Sequence, residues 1–131
     1  MNPKAKGEIS EGVILAALLK KGFSVSIPFG NNQRYDFIVD DGTRLLRVQC
    51  KTGRVVNGCI VFSVTSKNGF TGERRGYSKQ ADVFLVYCPQ VDQVLWIPVD
   101  KSFRSEMRLR IDPLKKGAPL STVKWARDFL L

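Results

Sequence analysis

The sequence predicts an α/β fold in which an N-terminal helix packs on a mixed β-sheet, with a basic C-terminal extension of strand and helix. Three observations predict it. Apolar residues recur with a helical period from Glu8 to Lys21, alternate with a period of two from Phe23, and recur in five further β-like runs before residue 100. Because 131 residues is the usual size of one domain, we expect a single domain over residues 1–131.

The predicted helix ends at Gly22, which is well placed for the left-handed position that follows a helix. The two lysines before it complement the dipole of the helix. The residues assigned to its apolar face share a helical spacing. They are Ile9, Val13, Ala16, Ala17 and Lys20, with Leu15, Leu18 and Leu19 widening the face.

Six strands are predicted from runs of alternating or continuous apolar residues. They span Phe23 to Ile27, Arg34 to Val39, Arg44 to Lys51, Cys59 to Val64, Asp82 to Cys88 and Val94 to Val99. The turn sequence Asp40-Asp41-Gly42-Thr43 joins the second strand to the third and predicts a β-hairpin. The polar, glycine-rich segment from Ser66 to Gln80 predicts a surface excursion.

The residues beyond position 100 form a basic tail. Residues 101–131 contain eight basic and three acidic residues, so +5 of the net charge lies there. Arg108 and Arg110 flank Leu109, and this alternation predicts a strand that presents cations on one side. Ser121 is placed to cap the N-terminus of a final helix.

Charge and composition limit the classes of function. The chain has 21 Lys+Arg, 12 Asp+Glu and a net charge of +9, which favours DNA or RNA as a partner ahead of an anionic membrane surface. The absence of histidine excludes Ser-His-Asp triads, Cys-His pairs, His-ligated zinc and HNH-type nuclease sites. No GxxxxGK[ST] or GxGxxG motif is present, so we expect no nucleotide cofactor.

The sequence also predicts a cytoplasmic location. No apolar run approaches the roughly 20 residues that a membrane span needs, so we expect no membrane association. The N-terminus lacks the apolar core and cleavage site of a signal peptide. Cys50, Cys59 and Cys88 are odd in number and lack CxxC spacing, which indicates reduced thiols.

The candidate catalytic residues lie on the hairpin. Gln49 and Lys51 are two apart in a strand and therefore share a face, and Asp36 on the partner strand lies opposite the region around them. We expect Asp36 to bind a divalent cation, the Gln49 carbonyl to complete its coordination, and Lys51 to orient or activate the attacking water. Glu11 adds a second carboxylate if the first helix packs on the hairpin.

The order of these features resembles the PD-(D/E)XK nuclease core. The fragments that carry the resemblance are GEISEGVILAALLKKGF, FGNNQRYDFIVDDGTRLLRVQCKTGR and YSKQADVFLVY. The likeness is greatest to the compact PD-(D/E)XK homing endonucleases associated with bacterial group I introns, and it spans roughly residues 7 to 100. It implies a restriction-endonuclease-like core, with a basic DNA-contacting tail over about 101–131. It also implies Mg²⁺-dependent, site-specific hydrolysis of double-stranded DNA.

Cutting both strands of a site requires two active sites, so we expect a homodimer or homotetramer. Ten cationic residues of the loops and tail suit contacts with the DNA backbone. They are Arg34, Lys67, Arg74, Arg75, Lys79, Arg104, Arg108, Arg110, Lys115 and Lys116.

Two positions depart from the family pattern. Tyr35 stands where the family has a proline, directly before Asp36. That proline shapes the turn and performs no chemistry, so its loss does not affect catalysis. Gln49 replaces the second acid, and a neutral oxygen binds Mg²⁺ less strongly than a carboxylate. The resemblance implies that glutamine is tolerated here in active relatives.

Each candidate has a structural alternative. Asp36 is alternatively a capping residue or an ion-pair partner of Arg34 or Arg47, Lys51 a solvated strand charge, and Glu11 a charge in the first turn of the helix. Asp82 and Tyr77 are interpreted as packing or capping residues. Three other functions share these features: a junction resolvase, a restriction-type endonuclease, and a DNA-binding protein that has lost cleavage.

Overall fold

The computed structural model describes residues 1–30, 33–67, 74–77, 80–100, 105–114, 116–117 and 123–131. It confirms the predicted class, because one N-terminal helix lies on a mixed β-sheet. The helix α1 spans Pro3–Lys20. The strands of the described part are β1 (Ser24–Ser26), β2 (Phe37–Asp40), β3 (Leu45–Thr52), β4 (Arg54–Val56), β5 (Cys59–Ser63), β6 (Thr65–Lys67), β7 (Arg74–Gly76), β8 (Val83–Cys88), β9 (Gln93–Pro98) and β10 (Glu106–Arg110). A short 3-10 helix spans Ala126–Phe129.

Helix α1 begins earlier than the predicted Glu8. The side chain of Asn2 caps it by accepting a hydrogen bond from Ala5 N at 2.8 Å, and Pro3 occupies its first turn. The prediction missed this start because the apolar period begins only later. Gly22 follows the helix with a φ of 88°, so the predicted end is confirmed.

The buried face of α1 differs from the predicted one. The fully buried positions of the helix are Ser10, Ile14 and Leu18. By contrast, Ile9 and Leu19 were predicted on or beside the apolar face, yet they remain 46% and 56% exposed. The apolar period was misleading because the face that meets the sheet carries the polar residues Ser10 and Glu11.

The sheet under α1 has the order β1-β2-β3-β8-β9. Strands β3 and β8 run parallel, and the other neighbours run antiparallel. The predicted hairpin is confirmed as β2 and β3. Its turn is closed by the Asp41 carboxylate, which accepts hydrogen bonds of 2.8 Å from the backbone N–H groups of Thr43 and Arg44.

Strand β8 lies between two hydrophobic clusters. Val83 and Leu85 face the cluster under α1, whereas Phe84 and Val86 face a second cluster on the opposite side of the sheet. A strand covered on both faces reads as a continuous apolar run, as β8 does in the sequence. The second cluster is covered by the sheet β10-β5-β4, with the hairpin β6-β7 beside it.

Two predicted segments differ from the structure. The described ends of the supposed excursion form β6 and β7, and Tyr77 after β7 is buried. The final helix is limited to the 3-10 helix Ala126–Phe129, and Ser121 lies outside the described residues. Backbone pairing explains the second difference, because Trp125 bridges to Arg110 and Leu130 bridges to Leu95, which keeps both ends of this segment extended.

Cys50, Cys59 and Cys88 are free cysteines, as predicted. In the described part of the chain, no helix has the length and apolar character to span a bilayer.

Candidate active site

Asp36 lies immediately before β2, beside the middle of β3. Its backbone N–H donates to Val48 O at 2.7 Å, and the next residue, Phe37, pairs with Val48. Continuing this antiparallel register places Asp36 beside Gln49. The position agrees with the register expected from the hairpin turn.

Glu11 reaches Asp36 because α1 packs across β3. Ser10, the neighbour of Glu11, is buried and hydrogen-bonds to Thr52 through their hydroxyl groups at 2.6 Å. Burial, followed by the charge and hydrogen bond of Asp36 and the charge of Glu8, raises the pKa of Glu11 to about 7. Glu11 was expected near the site only if the first helix packs on the hairpin. The helix does pack there, and it brings the carboxyl groups of Glu11 and Asp36 into contact.

Cys50 supports this carboxyl pair from β3. Its backbone N–H donates to Asp36 Oδ2 at 2.8 Å. Burial, then the charges of Asp36 and Glu11, raises the pKa of the Cys50 thiol far above its usual range. The thiol therefore stays protonated and does not act as a nucleophile.

Gln49 and Lys51 leave β3 on the face opposite Cys50, since side chains alternate along a strand. Both side chains are half-buried. The Gln49 amide nitrogen donates to Cys50 O at 3.4 Å. Within the described residues, no three acidic, cysteine or histidine side chains are grouped to hold a metal.

Lys51 is bound by protein groups and is not a solvated strand charge. Its Nζ donates to Thr65 O at 3.0 Å and lies 3.5 Å from Tyr77 Oη. The same atom lies 4.7 Å from the centre of the Tyr77 ring. Among the residues that the structure describes, Lys51 forms no ion pair with Glu11 or Asp36.

Tyr77 is the residue near the site that the sequence reading missed. It packs in the second cluster, as predicted for a packing residue, but it also contacts Lys51. The polar segment that precedes it carries no periodic signal, so a surface loop was the better local interpretation. Only the fold brings Tyr77 back to β3.

Arg34 and Arg47, the two residues considered as ion-pair partners of Asp36, make other contacts. Arg47 instead pairs with Asp82, with 3.1 Å between Arg47 Nε and Asp82 Oδ2. Arg34 stacks on Tyr77, with its guanidinium carbon 4.3 Å from the ring centre. The structural interpretation of Asp82 is confirmed, since it also accepts a hydrogen bond from Arg47 N.

The structure describes only part of the predicted DNA-binding set. Lys79, Arg104 and Lys115 lie outside the described residues, as do the side chains of Lys67 and Arg74. Arg75, Arg108 and Lys116 are exposed.

The outer face of β10 is less uniformly cationic than predicted. Arg108 shares it with Glu106, and the two approach to 3.9 Å. Glu106 also pairs with Arg54 at 2.9 Å. Arg110 donates to backbone oxygens of Asn57 and Asp112, which ties it to neighbouring loops. Arg108 is therefore the better placed of the two strand cations for an external anion.

The family model described as PD-(D/E)XK endonuclease matches residues 1–131. The chain belongs to the PD-(D/E)XK endonuclease family. A solved structure of a bacterial homing endonuclease, I-Ssp6803I, matches this PD-(D/E)XK endonuclease with a TM-score of 0.77 and 25% sequence identity. The match covers 99% of this chain and 89% of that one. No curated protein matches the chain at the threshold of significance.

The carboxyl pair of the endonuclease fits a divalent cation. Asp36 and Glu11 present hard oxygen donors, which Mg²⁺ prefers. The raised pKa of Glu11 reflects burial and like-charge repulsion from Asp36, and a bound cation would offset both by stabilising the ionised carboxyl groups. Glu11 and Asp36 are thus the residues that would hold the metal, with Gln49 beside Asp36 as the source of a neutral oxygen.

Proposed function

We propose that this endonuclease is a metal-dependent, site-specific enzyme that hydrolyses phosphodiester bonds in double-stranded DNA, of the homing type encoded by group I introns. The observation that carries the proposal is the contact between Glu11 and Asp36, two half-buried carboxyl groups from separate elements. The family match and the homing-endonuclease neighbour support the class of reaction.

Each residue of the site has a separate role in hydrolysis. Glu11 and Asp36 hold the cation, and the Cys50 N–H fixes the orientation of Asp36. A divalent cation such as Mg²⁺ supplies polarisation of the scissile phosphate and stabilisation of the leaving oxygen. Gln49 contributes a neutral oxygen, so metal affinity depends mainly on the two acids. Lys51, on the same face of β3 as Gln49, orients the attacking water.

The substrate and assembly follow from charge and symmetry. A net charge of +9, with Arg75, Arg108 and Lys116 exposed, favours contacts with DNA phosphates. Cleavage of both strands at one site needs two copies of the catalytic centre. We therefore propose a homodimer or homotetramer that recognises an approximately two-fold target.

The test is cleavage of duplex DNA that carries the sequence flanking the protein's own gene, with and without Mg²⁺. We expect Mg²⁺-dependent cutting at one position, lost in Asp36→Ala and Lys51→Ala, and retained in the matched variant Lys20→Ala on the exposed end of α1. Both inactive variants should still bind the DNA.

Two results would contradict the proposal. Equal cutting of branched DNA of unrelated sequence would indicate a junction resolvase. Binding without cutting of any duplex or branched DNA, in Mg²⁺ or Mn²⁺, would indicate a DNA-binding protein without nuclease activity.

A further inference from the structure

We infer that Tyr77, together with the backbone carbonyl of Thr65, is a positioning unit for Lys51. The inference rests on the proposed function, because it concerns the lysine that orients the attacking water. Tyr77 does not touch the reacting atoms in this proposal. It acts by holding the ammonium group of Lys51 at one place beside β3.

The ammonium group of Lys51 makes several contacts at once. Lys51 Nζ lies 3.0 Å from Thr65 O, 3.5 Å from Tyr77 Oη and 4.7 Å from the Tyr77 ring centre. A lysine ammonium ends a flexible four-carbon stem and adopts many positions unless it is held. A carbonyl acceptor and the negative face of a ring are two electrostatic contacts that restrict it.

Tyr77 is itself held in place by the core and by backbone hydrogen bonds. Its side chain is 5% exposed, and its ring meets Phe84 edge to face with 5.6 Å between the ring centres. Its backbone carbonyl accepts hydrogen bonds from Gln80 N at 2.9 Å and Ala81 N at 3.0 Å. Ring and backbone are both anchored, so the contact constrains Lys51 more than it constrains Tyr77.

A second cation, Arg34, contacts the same Tyr77 ring. The Arg34 guanidinium carbon lies 4.3 Å from the Tyr77 ring centre. Arg34 also donates to Ser66 Oγ at 2.6 Å and to Arg75 O at 3.2 Å. Tyr77 and the hairpin β6-β7 thus contact both the chain entering β2, through Arg34, and the end of β3, through Lys51.

The test compares Tyr77→Phe, which keeps the ring, with Tyr77→Met, which fills similar space without a ring. Tyr77→Leu serves as a second ring-free variant if Tyr77→Met does not fold. Tyr87→Met is the matched control, because Tyr87 on β8 packs against the cluster under α1, whereas Tyr77 packs in the cluster on the opposite side of the sheet, and the Tyr87 hydroxyl donates to Asp92 Oδ1 at 3.0 Å. Folding of each variant is checked by circular dichroism and thermal unfolding.

Two readouts are measured on each protein. The first is the ring-current shift of the Lys51 side-chain protons by NMR of protein with labelled lysine, assigned with Lys51→Arg; it requires no activity. The second is the cleavage rate in a single turnover at saturating protein, with the Kd for DNA measured separately in Ca²⁺.

We expect Tyr77→Phe to keep the upfield Lys51 shift and a rate within about threefold of the original, since a ring still faces the ammonium. Tyr77→Met should lose the shift and slow single-turnover cleavage at least about fivefold, with a smaller change in Kd, because positioning acts on the chemical step. Tyr87→Met should change neither readout.

The proposal is overturned if the folded ring-free variants keep the Lys51 shift. It is also overturned if they lose the shift but cleave at the original rate while Lys51→Ala is inactive. If the unmodified protein cuts no DNA, the proposed function fails, while the NMR comparison still decides whether Tyr77 holds Lys51.

Discussion

At the scale of single residues, the site is defined by two acids that are held closer together than their charges favour. Burial and Asp36 raise the pKa of Glu11 to about 7, and the Cys50 N–H holds Asp36 in place. Carboxyl groups with strongly perturbed pKa values are enriched at functional sites. In the proposed mechanism, Gln49 and Lys51 on β3 are the other two residues of the site.

We predict that Glu11→Gln separates the catalytic from the structural effect of this pair. The change keeps a hydrogen-bonding group beside Asp36 but removes a charge, so cleavage should fall at least about a hundredfold. The free energy of unfolding without divalent ions should stay the same or rise, by up to about 1 kcal/mol after allowance for solvent screening. Single-turnover cleavage and urea unfolding measure the two effects. Lys20→Gln on the exposed end of the same helix is the control, and equal loss of activity in that variant would count against the role of Glu11.

We predict that Gln49→Glu lowers the Mg²⁺ concentration needed for half-maximal cleavage by about tenfold, because a carboxylate binds this hard cation more tightly than an amide oxygen. The same change should destabilise the metal-free protein, since it adds a third negative charge near Asp36. A Mg²⁺ titration of the cleavage rate and unfolding in EDTA provide the measurements. An unchanged Mg²⁺ requirement would place Gln49 outside the metal's coordination.

At the scale of elements, helix α1, the hairpin β2-β3 and strand β8 are held together by polar contacts as well as by the core. The hydroxyl groups of Ser10 and Thr52 join α1 to the end of β3 at 2.6 Å. At the other end of β3, Asp82 accepts from Arg47 N at 2.8 Å and pairs with its guanidinium at 3.1 Å. These contacts fix the β3 register on which the site depends.

We predict that Asp82→Asn lowers the free energy of unfolding by about 1 kcal/mol at pH 7, a modest value because the pair is partly exposed. The hydrogen bond from Arg47 lowers the pKa of Asp82 below its ordinary value of 3.8. A lowered pKa stabilises the folded state above the unfolded pKa, and this contribution is lost as pH falls through the folded pKa. The difference between the two proteins in urea unfolding should therefore shrink as pH falls below about 3.8. Asp128→Asn is the exposed control, and a difference that stays constant down to pH 2 would refute the role assigned to the ion pair.

At the scale of the whole molecule, the basic surface and the small size of the domain both favour assembly on DNA. One chain carries one carboxyl pair in its described residues, whereas double-strand cleavage needs two active centres. Under the proposed function, the exposed Arg75 and Arg108 would contact the phosphate backbone, and such contacts carry little sequence information. Assembly of two or more copies would supply both the second centre and a longer target.

We predict that oligomers containing both active subunits and Lys51→Ala subunits nick the target instead of cutting both strands, because each subunit cleaves one strand. The active protein and the Lys51→Ala protein are mixed in equal amounts and allowed to exchange subunits. The mixture is then incubated with a supercoiled plasmid that carries the target. Gel electrophoresis then measures nicked circles against linear product. Sedimentation should show at least a dimer on DNA, and a monomer that makes double-strand cuts would rule out this assembly.

The sequence by itself determined the local parts of the site. The two-residue period of β3 and the turn at Asp41 are set by backbone geometry, so Asp36, Gln49 and Lys51 were placed from the chain alone. Gly22 likewise marked the end of α1 through its positive φ.

Only the tertiary structure decided how these parts meet. The buried face of α1 could not be read from apolar spacing because it carries Ser10 and Glu11, and Glu11 reaches Asp36 only through the packing of the helix on β3. Tyr77 reaches Lys51 through the fold of a segment without periodicity. Local patterns follow from the geometry of neighbouring residues, whereas contacts between distant segments follow from the packing of the whole core.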